Sequence, residues 1–162
     1  MKKQLNFILL NGAMGSGKST VASILEKKLK KTAIIEIEDI RKLVSPEDNE
    51  LAWKVIYRMS DEYFKNGVSV LLKQTVASHD IVKHFFKLAK KYKAKINFYH
   101  FQAPSVELQK RISQRKKTRN VPKNLILSNI KKHQNIEYKD AAIVNTHQNK
   151  PNQIAKLILS NL

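Results

Sequence analysis

The chain has 162 residues, 42% of them apolar, with no cysteine and a formal net charge of +18. That length suits a single domain, 1–162, with one hydrophobic core, and the absence of thiols excludes disulfides and thiolate metal centres. No stretch approaches the ~20 apolar residues of a membrane-spanning helix, so no membrane partner is expected. The opening "MKKQLNFILLNG" is basic, but its short apolar run meets Asn6, Asn11 and a glycine loop instead of a cleavage site. A cytoplasmic location is the expectation.

The elements follow in chain order. Leu5 to Leu10 reads as a strand buried on both faces. After the glycines, Val21, Ile24, Leu25 and Leu29 recur at helical spacing. Ala33 to Ile37 reads as a second strand ending in the acidic cluster Glu36, Glu38 and Asp39, and "SPED" at 45–48 offers Ser45 as the N-cap of the next helix, with proline at its first position. That helix carries Leu51, Val55, Ile56, Met59 and Tyr63 on one side, Trp53, Tyr57 and Phe64 on another, and stops at "KNG". Val68 to Leu72 is a third strand, followed by a helix marked by Ile81, Phe85, Leu88 and Tyr92. Lys95 to Phe101 is a fourth strand, and Ala103-Pro104-Ser105 opens a helix through Arg115. The polar, basic 116–123 breaks the pattern, a helix resumes over 124–133, 141–146 is a fifth strand, and Ile154, Leu157 and Ile158 mark a closing helix. Strands alternating with helices at this spacing predict an α/β fold with a parallel sheet covered on both faces.

Three of the four glycines fall between positions 12 and 17. Gly12, Gly17, Lys18 and Ser19 fit G-x-x-x-x-G-K-[ST] between an expected strand and an expected helix. Glycines let successive N–H groups turn toward phosphate oxygens, and the helix N-terminus adds its positive end. The stretch Gly12, Ala13, Met14, Gly15, Ser16, Gly17, Lys18, Ser19 and Thr20 is therefore the expected phosphate cradle, with Lys18 on the outer phosphates and Ser19 on a magnesium ion. ATP and Mg2+ are the expected cofactors. A GTPase is disfavoured, because no N-K-x-D pattern exists to read guanine.

From Phe7 to about Leu159 the chain resembles the small P-loop kinases of the shikimate kinase, gluconate kinase and chloramphenicol phosphotransferase type. The resemblance implies a three-layer P-loop NTPase fold, a five-stranded parallel sheet with helices on both faces and a short lid over about 112–124. It implies ATP-dependent transfer to a hydroxyl of a small metabolite, nucleoside or antibiotic. In "EDIR" it maps the proton-accepting acid to Glu38 and the substrate-gripping arginine to Arg41, with Asp39 as rival base and second candidate for the metal. In "ELQKRISQRKKTRN" it implies Arg111 beside the adenine, Arg115 on the transferring phosphate and Arg119 in the lid near the acceptor; four apart, these share a face if the helix persists. Arg58 falls where such kinases contact the acceptor, and "NTHQNKP" at 145–151 where they seat the adenine edge.

One position departs from the common pattern: the third strand ends in "LLKQT", with Lys73 and Gln74 where many P-loop enzymes carry an aspartate for the metal's water shell. Lys73 could meet an anionic acceptor or be solvated charge. Trp53, Tyr57 and Phe64 suit core packing better than a pocket wall, and the five histidines show no metal-ligand spacing. Of the 31 basic residues only five are arginine, and the lysines are dispersed, which reads as a solvated lysine-rich surface or as polyanion binding. Two further functions stay open: a kinase for nucleic-acid 5′-hydroxyl ends, and a nucleotide-binding regulatory or nucleic-acid-binding module with little catalysis. The spacing gives no oligomeric state.

Overall fold

The computed structural model describes residues 4–44, 48–115 and 121–162. Five strands form one parallel sheet: β1 (Asn6–Gly12), β2 (Thr32–Glu36), β3 (Ser69–Gln74), β4 (Lys95–Gln102) and β5 (Ala142–Asn145), in the spatial order β2-β3-β1-β4-β5. The helices are α1 (Lys18–Glu26), α2 (Ile37–Leu43), α3 (Asn49–Lys65), α4 (His79–Lys91), α5 (Ser105–Ser113), α6 (Lys123–Asn135) and α7 (Pro151–Ser160). The expected fold class holds.

Strand alternation sends neighbours to opposite faces, and β1 shows the consequence. Phe7 and Leu9 pack with Ile35, Val70, Leu72 and Phe98 under α2, α3 and α4, whereas Ile8 and Leu10 pack with Leu71, Tyr99 and Phe101 under α1 and α7. Both sides of the central strand are therefore dry, which is why it reads as a continuous apolar run and not as an alternation. Trp53 and Tyr57 lie edge-on or tilted against Phe85, and Phe64 stacks on Tyr92, so the aromatic side of α3 is core. Asp61 fastens α3 to the end of α4 by accepting hydrogen bonds from Lys91 (2.9 Å) and Tyr92 (2.8 Å).

Several boundaries differ from the sequence reading, each for a local reason. β1 continues through Asn11 into Gly12, where a Cβ would sit 2.5 Å from the Phe101 carbonyl oxygen of the paired strand. The acids after β2 do not sit on a strand end: the chain enters α2 at Ile37, with Glu38 and Asp39 in its first turn, where the helix dipole favours negative charge. Asp48 caps α3 by accepting from the Leu51 amide at 2.7 Å, and Ser45, the expected cap, lies with 46 and 47 outside the described residues. Helix α5 stops at Ser113. Arg111 and Arg115 therefore do not share one helical face, and Arg119 lies outside the described residues, as do 116–120 of the expected lid.

Candidate active site

The connection from β1 to α1 runs over the C-terminal edge of the sheet. Gly15 and Gly17 hold φ of +79° and +88°, backbone angles that L side chains rarely adopt. A Cβ at Gly15 would also meet the Leu108 carbonyl oxygen at 2.9 Å, whereas nothing lies within 4 Å of one at Gly17, whose outer side is open. The α1 ladder begins with Val21 N–H bonding the Gly17 carbonyl, so the amides of Lys18, Ser19 and Thr20 have no intrahelical acceptor. Such a terminus attracts phosphate.

Lys18 is buried in this loop, its Nζ donating to the carbonyls of Gly12 (2.7 Å) and Ala13 (2.8 Å) and to Ser16 Oγ (3.0 Å). Burial first, then the positive charges of Arg115 and Lys73, pull its pKa down to about 7. Asn129 of α6 holds the loop from above. Its Oδ1 accepts from the Met14 amide at 2.9 Å, and its Nδ2 donates to the Thr75 carbonyl at 2.8 Å.

Beside the loop opens a cleft of about 880 Å³, lined among others by Lys18, Ser19, Glu36, Glu38, Arg41 and Arg115. Glu38 Oε2 accepts from Arg41 Nη1 at 2.9 Å, and its Oε1 lies 3.4 Å from the Thr75 hydroxyl. Asp39, one residue on, pairs with Lys42 at 2.8 Å and is not among the residues lining the cleft. Arg111 is also outside it: its guanidinium donates to Glu107 (2.8 Å) and to the hydroxyl and carbonyl oxygens of Thr146 (3.0 and 2.9 Å), clasping α5 to the loop after β5. Arg58 is exposed on α3, away from the cleft lining. Thr20 is exposed beside Ser19.

Three participants carried no assigned role in the sequence reading. Glu36, at the end of β2, forms an ion pair with Lys73 at 2.5 Å. Thr75 and Asn129 stand 54 positions apart and meet through a backbone carbonyl. The signal for Asn129 was its spacing from His133, one helical turn on, between the inward-facing Ile126 and Ile130; a polar pair on an apolar face asks for partners.

The place expected for magnesium does not fit a divalent ion as it stands. Ser19 Oγ faces the Lys73 ammonium at 3.2 Å, and the carboxylate beside it, Glu36, is already held by that same ammonium. No cluster of three or more histidine or acidic groups that could hold a metal exists among the described residues.

A parallel 2-3-1-4-5 sheet with a glycine loop opening a helix at its C-terminal edge defines a P-loop nucleotide-binding protein. Residues 7–135 match the family model described as AAA domain, and the chain belongs to that family. Among solved structures the fold is that of P-loop kinases. An unliganded sugar kinase from Janibacter matches with a TM-score of 0.72 at 18% identity over 96% of this chain and 93% of that one. A gluconokinase from Sinorhizobium meliloti matches with a TM-score of 0.64 at 16% identity over 98% and 92%. A chain of the Pnkp1/Rnl/Hen1 RNA repair complex matches with a TM-score of 0.69 at 26% identity over 82% of this chain and 45% of that one, so this protein spans less than half its length. No curated protein sequence matches the chain. No described helix is long and apolar enough to cross a membrane.

Proposed function

We propose that the protein is a kinase that transfers the terminal phosphoryl group of ATP to a hydroxyl acceptor, with Glu38 as the base. The observation that carries this reading is the position of Glu38: of the two rival acids on α2 it is the one lining the cleft that the phosphate loop and Arg115 share. Lys18 and the loop amides hold the phosphate chain, and Glu38 takes the proton of the acceptor hydroxyl. The acceptor oxygen then forms its bond to the terminal phosphorus as the bond to the bridging oxygen breaks, leaving ADP. Arg41 orients Glu38 through their 2.9 Å contact, and Arg115 brings charge to the leaving side.

The test is single-turnover transfer from labelled ATP over a panel of small alcohols, nucleosides and 5′-hydroxyl oligonucleotides. Wild type should label at least one acceptor. Glu38→Gln should lose about 100-fold or more in kcat while keeping its affinity for the nucleotide. Transfer undiminished in Glu38→Gln and Lys18→Ala would refute the proposal.

A second reading concerns the acceptor: the 5′-hydroxyl end of a nucleic acid. Two observations favour it, the +18 charge and the 26% identity with a chain of an RNA repair complex. Transfer confined to the oligonucleotide arm of the panel supports this acceptor, and transfer confined to the small alcohols rejects it.

A further inference from the structure

Lys73 belongs to β3, a strand otherwise buried along its length. In the sheet it stands opposite Glu36 of β2 on one side and Leu10 of β1 on the other. Side chains at register positions share a face, so Lys73 projects to the α1 side, toward the first turn of α1. It reaches Ser19 Oγ at 3.2 Å and Glu36 Oε2 at 2.5 Å, and its side chain keeps only 11% of its exposure. A lysine this enclosed is held by its surroundings, not left as a solvated surface charge.

An ammonium has three N–H donors and no acceptor. Glu36 and Ser19 take two, and Lys73 lines the cleft between the phosphate loop and Glu38. Its charge is felt at Lys18, where it is one of the causes that lower that side chain's pKa. The position next to the loop serine thus already holds a fixed positive charge, close enough to the first lysine to act on the same anion.

We propose that Lys73 is a resident cation of the nucleotide site. Its ammonium binds the terminal phosphates together with Lys18, and nucleotide binding by this chain requires no divalent ion. Glu36 is the positioning residue: it neutralises Lys73 while the site is free and aims it at the phosphates. The proposal rests on the reading of residues 12–20 as a nucleotide cradle.

Calorimetric titration with a non-hydrolysable ATP analogue, in magnesium and in a chelator, tests this without any turnover. Wild type should bind with dissociation constants within about threefold in the two conditions, and Lys73→Met should weaken binding in chelator about tenfold or more. Lys73→Arg, which keeps the charge, should stay near wild type in chelator, and melting curves of all three establish that they fold. Wild-type affinity that collapses tenfold in chelator overturns the proposal, as does Lys73→Met binding the metal-free analogue as tightly as wild type. Loss of all binding in both conditions, with inorganic tripolyphosphate also failing, overturns the cradle reading and Lys73 with it. Binding that needs magnesium but still depends on Lys18 leaves the cradle standing and removes only Lys73's role.

Discussion

Lys18 is the residue on which the proposed phosphate site turns, and its chemistry is set by enclosure. With its pKa brought down to about 7, the free protein holds a mixture of ammonium and amine near neutrality. A bound phosphate chain favours the ammonium, so it raises the pKa, and binding must take up a proton wherever the free lysine was neutral. Titrations repeated in buffers of different ionisation enthalpy should show uptake approaching about one proton per nucleotide between pH 7 and 9. Affinity should fall over the same window, because the amine must first be protonated. Glu38 and Asp39 show how narrow the choice between neighbours is. The helical start at Ile37 rotates successive side chains by about 100°, so that Glu38 lines the cleft while Asp39 does not and pairs with Lys42, a residue that does.

At the scale of elements, α6 acts as a clamp. Asn129 joins it to the phosphate loop at Met14 and to the end of β3 at Thr75, where His133 Nε2 also lies 3.0 Å from the carbonyl. Asn129→Ala strips the Met14 amide of its acceptor and should destabilise the fold by about 1–3 kcal/mol, a melting decrease of about 2–4 °C per kcal/mol. Nucleotide affinity should drop as well, since the loop loses its tether; an unchanged melting temperature and affinity would show the clamp to be idle. Beneath the loop, Gln74, Asn11 and His100 stand side by side at the ends of β3, β1 and β4, with His133 packed on His100. All four are buried, and among the described residues the Gln74 amide, both His100 nitrogens and His133 Nδ1 have no hydrogen-bond partner. Burial lowers the pKa of His100 and of His133 to about 4. Between about pH 4 and 6.5 the unfolded chain therefore binds more protons than the folded one, so stability falls as the pH drops through that window. Urea midpoints measured from pH 7 down to 4 should decrease, and His100→Gln should flatten the slope.

For the whole molecule, charge and topology answer different questions. The cleft gathers five lysine and arginine side chains against two carboxylates, which suits a polyphosphate on its own. The remaining basic surface bears on the acceptor. If the acceptor is an RNA end, affinity for a 5′-hydroxyl oligonucleotide should fall about tenfold or more between 50 and 200 mM salt as counterions are released. A flat response would assign the +18 charge to solvated lysine alone.

Sequence alone determined the strand, glycine loop and helix and the alternation that makes a parallel sheet, and it singled out 12–20, the proposed phosphate cradle. Those features rest on backbone angles and periodicities that neighbouring residues impose on one another. It misplaced the acids of α2 because an N-terminal helical turn and a strand end both tolerate carboxylates. The cap of α3 was likewise local chemistry, and only the folded chain assigned it to Asp48. Tertiary structure alone decided that Glu38 faces the cleft, that Arg111 clasps Thr146, and that Lys73 reaches Ser19 across 54 positions of sequence. The physical reason is register: which distant side chains meet depends on how β2, β3 and β1 align, and that alignment is fixed by burial on both faces of the sheet and not by any local motif.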